Sequence, residues 1–521
     1  MARPYRRTAK RKLSFPLAAP VAMLAALFSP HARADLKVAP AVTLRETYTD
    51  NVNLDADEFA RSQFITELTP SLALTSNSPR LKLRAVASAH LYAYSDNEVE
   101  GLNRYSRDLS ATALAKLIDD LLFFDGTASI GQHSVSAFGP QPNNNGYTDT
   151  NRTEVRTYQL SPYLKHSFGS TALGELRYTR DSVTSSEAAL GNSIGNTVSL
   201  SLASGPSFRT VGWGLQASRQ DLDDSLGRGV RSETSIANLR VRISNTFSLT
   251  ATGGYDKYDY QGLGGTTAGN NYSLGFNWAP SSRTNVTANA GRRFFGKTYL
   301  LNAMHRSRFS VWSINYNDAI TTTREQFLLP ATIDTAALLD RLFSTSISDP
   351  IARQQAVDAY IRANGLPPSL ADSINYLSNR FMLQKQFQAS AAFNGARTTG
   401  IVSVNATKRT ALSTQQSDSA LLGSSLFNLN DDTRQVGATV AVNYRLSPRS
   451  DLKLSINKNH TESLSTGLKG NQTLLSLSMT QQLQRKLSGS VELRRNQGDG
   501  FVQSGRPYQE NAISASLSLQ L

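Results

Sequence analysis

Leu81, Leu83, Ala85, Ala87, Ala89, Leu91 and Ala93 occupy one parity of a continuous stretch, and Lys82, Arg84, Ser88, His90, Tyr92 and Tyr94 occupy the other. Successive side chains of a strand point to opposite faces, so such a stretch has one apolar and one polar face. It is also long for a strand of a soluble domain, whose usual length is about 5–6 residues. The pattern returns along the chain: Leu239, Val241 and Ile243 against Asn238, Arg240 and Arg242; Val286, Ala288 and Ala290 against Thr287, Asn289 and Gly291; Val436, Ala438, Val440, Val442 and Tyr444 against Gln435, Gly437, Thr439 and Asn443; Leu517, Leu519 and Leu521 against Ser516, Ser518 and Gln520.

The connections alternate as well. Short reversals at Ser76–Arg80, Ala279–Arg283 and Leu446–Ser450 carry the Pro, Ser and Asn that favour tight turns. Between them lie long polar connections at Gly139–Thr153, Gln220–Arg231, Gln261–Asn270, Thr410–Asp432 and Asn496–Pro507. Tight turns at one end and long loops at the other are the habit of an outer-membrane barrel, with turns on the periplasmic side and loops outside. Hydrocarbon leaves no partner for an unpaired backbone N–H or C=O, so a sheet that crosses a membrane closes on itself. A soluble sandwich of this size needs inner faces richer in large apolar side chains and divides into domains. A solenoid keeps a fixed repeat, which these unequal spacings lack. The expected fold is therefore all-β, a transmembrane antiparallel up-and-down β-barrel of about 22 strands (range about 18–22). Strand starts are expected near residues 36, 62, 81, 104, 121, 154, 171, 196, 209, 232, 247, 271, 285, 298, 309, 378, 399, 433, 451, 471, 487 and 508.

Residues 1–34 read as a cleaved secretory signal. Arg3, Arg6, Arg7, Lys10, Arg11 and Lys12 precede the apolar Leu13–Phe28, and Ala32-Arg33-Ala34 fits a small-residue cleavage site before Asp35. The barrel then spans residues 35–521, and its place is the outer membrane of the cell. The leader holds seven of the 54 Lys and Arg residues and no acid, which leaves 47 against 40 acids in the mature chain, a net of +7. That charge is dispersed, with no basic helix or Cys/His finger, so nucleic acid is not an expected partner. The chain has no cysteine, which excludes disulfides, thiol catalysis and cysteine-ligated metals.

One region departs from period two. Across residues 321–375 the sequence turns helical, with Thr335–Phe343 and Pro350–Asn364 as short helices, Asp349 as an N-cap and Gly365 as a stop. This insertion is either an external cap or a constriction folded into the lumen.

Several stretches carry a family resemblance. Val42–Leu54 and Phe64–Pro70, then Leu121–Asp125, the run Gly291, Arg292, Arg293, Phe294, Phe295 and Gly296, and His305, Arg306, Ser307 and Arg308 followed by Trp312 and Tyr316 resemble the PEP-CTERM-system-associated outer-membrane proteins. The resemblance covers essentially the whole mature chain. It implies a porin-like outer-membrane β-barrel that accompanies exosortase and exopolysaccharide systems, without naming a substrate or an active site.

Candidate chemistry is sparse. His90, His133, His166, His305 and His460 are scattered, and no H-E-x-x-H, G-x-S-x-G or P-loop spacing occurs, so no catalytic residue, cofactor or metal is assigned. Asp50, Asp55, Asp57 and Glu58 lack the spacing of a calcium loop and read as a solvated acidic loop. If the apolar parity faces lipid, then Lys82, Arg84, Arg240, Arg242, Arg293, Lys453 and Arg494 face the interior, tempered by Glu492. Interior cations favour anionic solutes; the alternative is that they pair with acids of neighbouring strands. Trp278 and Trp312, with most of Tyr92, Tyr94, Tyr255, Tyr258 and Tyr260, read as interfacial girdle, and stacking on sugar rings is the other use of such tyrosines. The expected partners are outer-membrane lipid, the barrel-assembly machinery and exopolysaccharide or other envelope components. The leading reading is a passive pore or export channel. A structural or adhesive barrel with glycan- or protein-binding loops is the first alternative, and a barrel hydrolase the second.

Overall fold

The computed structural model describes residues 36–141, 146–186, 192–224, 229–260, 267–328, 381–413, 432–500 and 506–521. Alternation becomes strand throughout. The first half of the sheet comprises β1 (Lys37–Thr49), β2 (Gln63–Asn77), β3 (Leu81–Tyr94), β4 (Tyr105–Ile118), β5 (Leu122–Ser134), β6 (Arg152–Phe168), β7 (Ala172–Ser185), β8 (Ser193–Ser204), β9 (Val211–Asp224), β10 (Gly229–Arg242) and β11 (Phe247–Asp259). The second half comprises β12 (Ala268–Ser281), β13 (Thr284–Arg293), β14 (Gly296–Arg306), β15 (Ser310–Thr322), β16 (Phe381–Asn394), β17 (Thr398–Ala411), β18 (Thr433–Ser447), β19 (Ser450–Ser463), β20 (Lys469–Gln484), β21 (Leu487–Gly500) and β22 (Arg506–Gln520). Every one of the 22 starts within three residues of the position read from the sequence.

Each strand pairs antiparallel with the next, and β1 pairs with β22 from Ala41↔Gln520 to Thr49↔Ala512. That last ladder closes the cylinder, so no edge is left to face hydrocarbon. Strands of 10 to 17 residues meet or exceed the roughly 9–11 that a tilted crossing requires, so the longer ones project beyond the membrane. Register shifts at Lys116/Ile118, Trp278/Ser281, Arg445/Ser447 and Gln482/Gln484 all fall just before a tight reversal, where a bulge adds twist at the rim.

The wall has two unlike faces. Leu176, Leu200, Leu215, Leu239, Leu274, Ile456, Leu477, Leu493 and Leu517 are exposed on the outward face, as a band bathed in lipid requires. Inward, the ladders join small polar groups: Thr43 with Ser518, Thr47 with Ser514, Ser455 with Ser476 and Ser490 with Ser516. Chains that alternate in this way form the sheet of an outer-membrane β-barrel, and this protein is one. Tyr255, Trp278 and Trp312 stand outward and exposed, as girdle residues. Tyr92, Tyr94, Tyr258 and Tyr260 do not: they lie on the polar side, against lumen-facing neighbours. Their even numbering already placed them opposite the aliphatics, and the strand pleat overrides the preference of tyrosine for an interface.

The expected helices Thr335–Phe343 and Pro350–Asn364 and the leader 1–34 lie outside the described residues. Within the described part, the insertion after β15 opens with α1 (Thr323–Leu328). Thr322 is its N-cap: its Oγ1 accepts the Glu325 amide at 3.1 Å, and the Glu325 carboxylate accepts the Thr322 amide at 3.2 Å, a reciprocal capping box.

Candidate functional site

Two segments leave the wall and cross the lumen. The first is the connection between β5 and β6, expected from sequence to be an external loop. Val135, Ser136, Phe138 and Thr148 in it are buried, and Tyr147 is 5 % exposed. Asn151, at φ 54°, ties its base: its side chain accepts the Ser136 amide at 2.8 Å and donates to the Ser136 and Pro140 carbonyls. Its middle lies along the β3–β4 connection, where Asn103 donates to the Tyr147 carbonyl at 2.8 Å and Asp149 to the Gly101 carbonyl at 3.0 Å. Its far contacts are on β20 to β22. Gln472 donates to the Gln141 carbonyl at 2.8 Å, Arg494 donates to the Tyr147 hydroxyl at 2.9 Å, and that hydroxyl donates to Glu510 at 3.3 Å. Five strand steps separate β5 from β22, an arc of about 24 Å at the usual strand spacing. Contact across that arc requires the segment to fold inward. Burial raises the Tyr147 hydroxyl well above the usual tyrosine range, so it stays a donor.

The second is α1. Arg324 forms an ion pair with Asp181 of β7 and donates to the Ser193 hydroxyl of β8 at 2.5 Å, although β15 and β8 are seven strands apart. Leu328 packs against Val155 and Val183, which anchors the helix on the opposite wall. Glu325 is half-buried beside this contact, and desolvation raises its carboxyl above the ordinary value.

Beneath the first segment lies a polar cavity of about 390 Å³ lined by Thr43, Arg45, Glu67, Thr69, His90, Tyr92, Ser106, Asp108 and Arg152. His90 Nδ1 is 2.8 Å from Glu67 Oε1, and Nε2 is 3.0 Å from Asp108 Oδ2. Thr69 donates to Glu67 at 3.0 Å, and Arg45 lies 3.8 Å from its other oxygen. The Ser88 hydroxyl sits 3.3 Å from Nε2, superficially a serine, histidine and acid series. Both ring nitrogens face carboxylates, however, and an imidazolium that donates on both sides has no lone pair with which to take a serine proton. The arrangement holds β1 to β4 together and presents charge to the cavity.

All seven cations singled out in the sequence lie on the lumen face. Arg293 makes a bidentate pair with fully buried Asp256, at 2.9 and 2.8 Å, which Asn271 also bonds. Arg494 pairs with Glu510 at 2.8 Å. Lys453 is buried with its amino group 3.5 Å from Thr480. Lys82, Arg240 and Arg242 are exposed in the half nearer the tight turns, with Arg240 lying over Gly212 and Arg242 bonded to the Ser244 carbonyl; Arg84, in the same half, is half-buried. Of the motif residues, Arg292 points outward opposite Tyr272. Phe294 and Phe295 form the two-residue turn of β13–β14, with Gly296 at φ 124°. Phe294 packs on Tyr258, which with Tyr260 meets Phe381, making an aromatic lid over the lowest part of the wall. His305 faces outward opposite Trp312 and shares a hydrogen bond with Thr284, and Arg306 ties its amide to the Arg283 carbonyl. In the first loop Asp50 is engaged by Asn511, and among the described residues no group of three potential metal ligands occurs.

The partners Glu67, Asp108, Asp181, Asp256, Tyr147 and Glu510 carry no local signal in the sequence, since each meets its cation only after the sheet has closed.

No protein-family model matches the chain, and no curated protein does. Among solved structures it is similar to the siderophore receptor PirA from Pseudomonas aeruginosa, with 11% identity over 93% of this chain and 80% of that one and a TM-score of 0.43. It is similar too to a ferric enterobactin receptor (PfeA) mutant from Pseudomonas aeruginosa, with 10% identity, 94% and 81% coverage and a TM-score of 0.46. The FrpB iron transporter from Neisseria meningitidis gives 8% identity, 93% and 82% coverage and a TM-score of 0.46.

Proposed function

We propose that this protein is a passive outer-membrane channel whose bore is set by the inward-folded connection between β5 and β6, serving the exopolysaccharide and exosortase system that its motifs resemble. The observation that carries the reading is a set of polar lumen-facing side chains that stay exposed despite the crossing segment. Asp108, Ser110 and Thr112 of β4, Gln216 and Ser218 of β9 and Arg240 of β10 are exposed on the inward face. Water-lined walls support diffusion of hydrophilic solutes, and the cations of the turn half favour anions among them.

The adhesive reading keeps one observation of its own, the pair of segments bound across the lumen through Tyr147 and Arg324. Single-channel recording of the refolded full chain in a planar bilayer separates the two. Steady conductance with an anion-favouring reversal potential is the expected result. A bilayer that stays silent while external loops bind glycan assigns the barrel to adhesion.

A further inference from the structure

Three cations stand directly opposite one another on the outer face of the wall. Lys385 of β16 pairs with Lys408 of β17, and Lys408 pairs with Arg434 of β18. Directly opposed residues share a face at a Cβ separation of about 4.5–5.5 Å, and like charges so placed repel. The face is the outward one, because the next residues along it are Phe387 and Val436, both exposed to lipid. Lys458 of β19 lies on the same face beyond Ile456.

Among the described residues, acids flank the row at both ends but form no ion pair with it. Asp318 lies opposite Lys385 with its Oδ2 accepting the Tyr299 amide, and Glu462 lies opposite Arg434 but pairs with Lys469 at 3.6 Å. No ion pair joins Lys385, Lys408, Arg434 or Lys458 to an acid among the described residues. Two other outward patches hold their own acids: Arg107 and Arg156 share Glu154, and Arg219 and Arg231 share Asp221. Repulsion of this kind is relieved when an anion bridges the cations.

Position selects the anion. The row sits at the loop end of the wall, and Phe387, Val404 and Val436 lie next to it on the membrane side. An amphiphile with phosphate at its polar end and acyl chains below matches both parts. We infer that Lys385, Lys408 and Arg434, with Lys458 beside them, form a binding site for the phosphate groups of an anionic lipid in the outer leaflet.

The test is native mass spectrometry of the full chain, released from zwitterionic detergent after incubation with bis-phosphorylated lipid A or with the same lipid stripped of phosphate. The phosphorylated form is expected to remain bound, with occupancy at least about tenfold above that of the stripped form. A K385Q/K408Q/R434Q variant is expected to lose that preference, while K385R/K408R and, on the paired patch, R219Q/R231Q keep it. Heat-modifiable migration on electrophoresis reports folding of each variant. Equal occupancy of the two lipids on the wild-type chain overturns the inference whether or not the glutamine variant folds, as does an unchanged preference in a folded triple variant. Displacement of the lipid by millimolar inorganic phosphate also overturns it, in favour of a free-anion site.

Discussion

The Tyr147 hydroxyl, on a connection rooted in β5 and β6, lies 2.9 Å from the Arg494 guanidinium on β21, a contact made across the lumen and not along the wall. Arg494→Ala leaves buried Glu510 without its cation, and loss of one partner of a buried pair costs about 3–5 kcal/mol. The thermal transition should fall and conductance should rise as the segment loosens. Tyr147→Phe keeps the ion pair and should cost only about 1 kcal/mol while still raising conductance. Parallel melting and single-channel records on the two variants check both halves of this expectation.

Removal of the crossing segment outright gives a larger effect. A chain in which residues 136–150 are replaced by a short Gly/Ser linker should conduct several-fold more than wild type, and removal of 325–375 tests the second crossing in the same way. Unchanged conductance after both deletions means that neither segment limits the bore.

Selectivity should follow exposure. Arg240→Gln with Arg242→Gln removes two exposed lumen charges and should move the reversal potential toward cations. Arg293→Gln should move it much less, because Asp256 already neutralises that guanidinium, yet it should lower stability by about 3–5 kcal/mol through the stranded carboxylate. Reversal potentials in a salt gradient, read beside thermal melts, distinguish charge in the path from charge in the frame.

Glu325 makes the docking of α1 depend on pH. Burial raises its carboxyl above the ordinary glutamate value, so the docked state binds the proton more tightly than the undocked one. The stabilisation is complete below the ordinary value and is lost as pH rises through the raised one. The chain has no cysteine, so a fluorophore on Leu328→Cys reports α1 alone. Its exposure should grow with pH in the wild-type background, and Glu325→Gln should flatten the profile.

Gly296 closes the two-residue turn of β13–β14 at φ 124°, a conformation that a side chain rarely adopts. No neighbour lies near its missing Cβ, so the cost of Gly296→Ala is backbone strain alone, about 1–3 kcal/mol. Urea unfolding in detergent micelles measures it. Leu454→Arg, on the lipid face, should cost about 2–4 kcal/mol if it lies near mid-bilayer, whereas Ser455→Arg, one residue on and facing water, should cost far less.

The strands were legible because alternation is a local property. A pleated chain between lipid and water must place greasy and polar side chains in turn, so β3, β10 and β18 declare themselves residue by residue, and the same parity places Arg240 and Arg494 inside. The state of those cations was not legible. Arg240 is exposed and Arg494 is tied to Glu510 and Tyr147, though both carry the same local pattern.

Sequence by itself determined a count of about 22 crossings within a range of about 18–22, their starts to within three residues, the apolar and polar parity of the strands and the end on which the long connections lie, because period two and turn chemistry act over a few residues. Only the tertiary structure decided that the β5–β6 connection turns inward, that Tyr92 and Tyr258 serve the lumen and not the girdle, and that Asp256 meets Arg293. Those contacts join residues far apart in the chain or on opposite walls. They exist once β1 bonds to β22, since closure is the step that gives the polar faces a common interior.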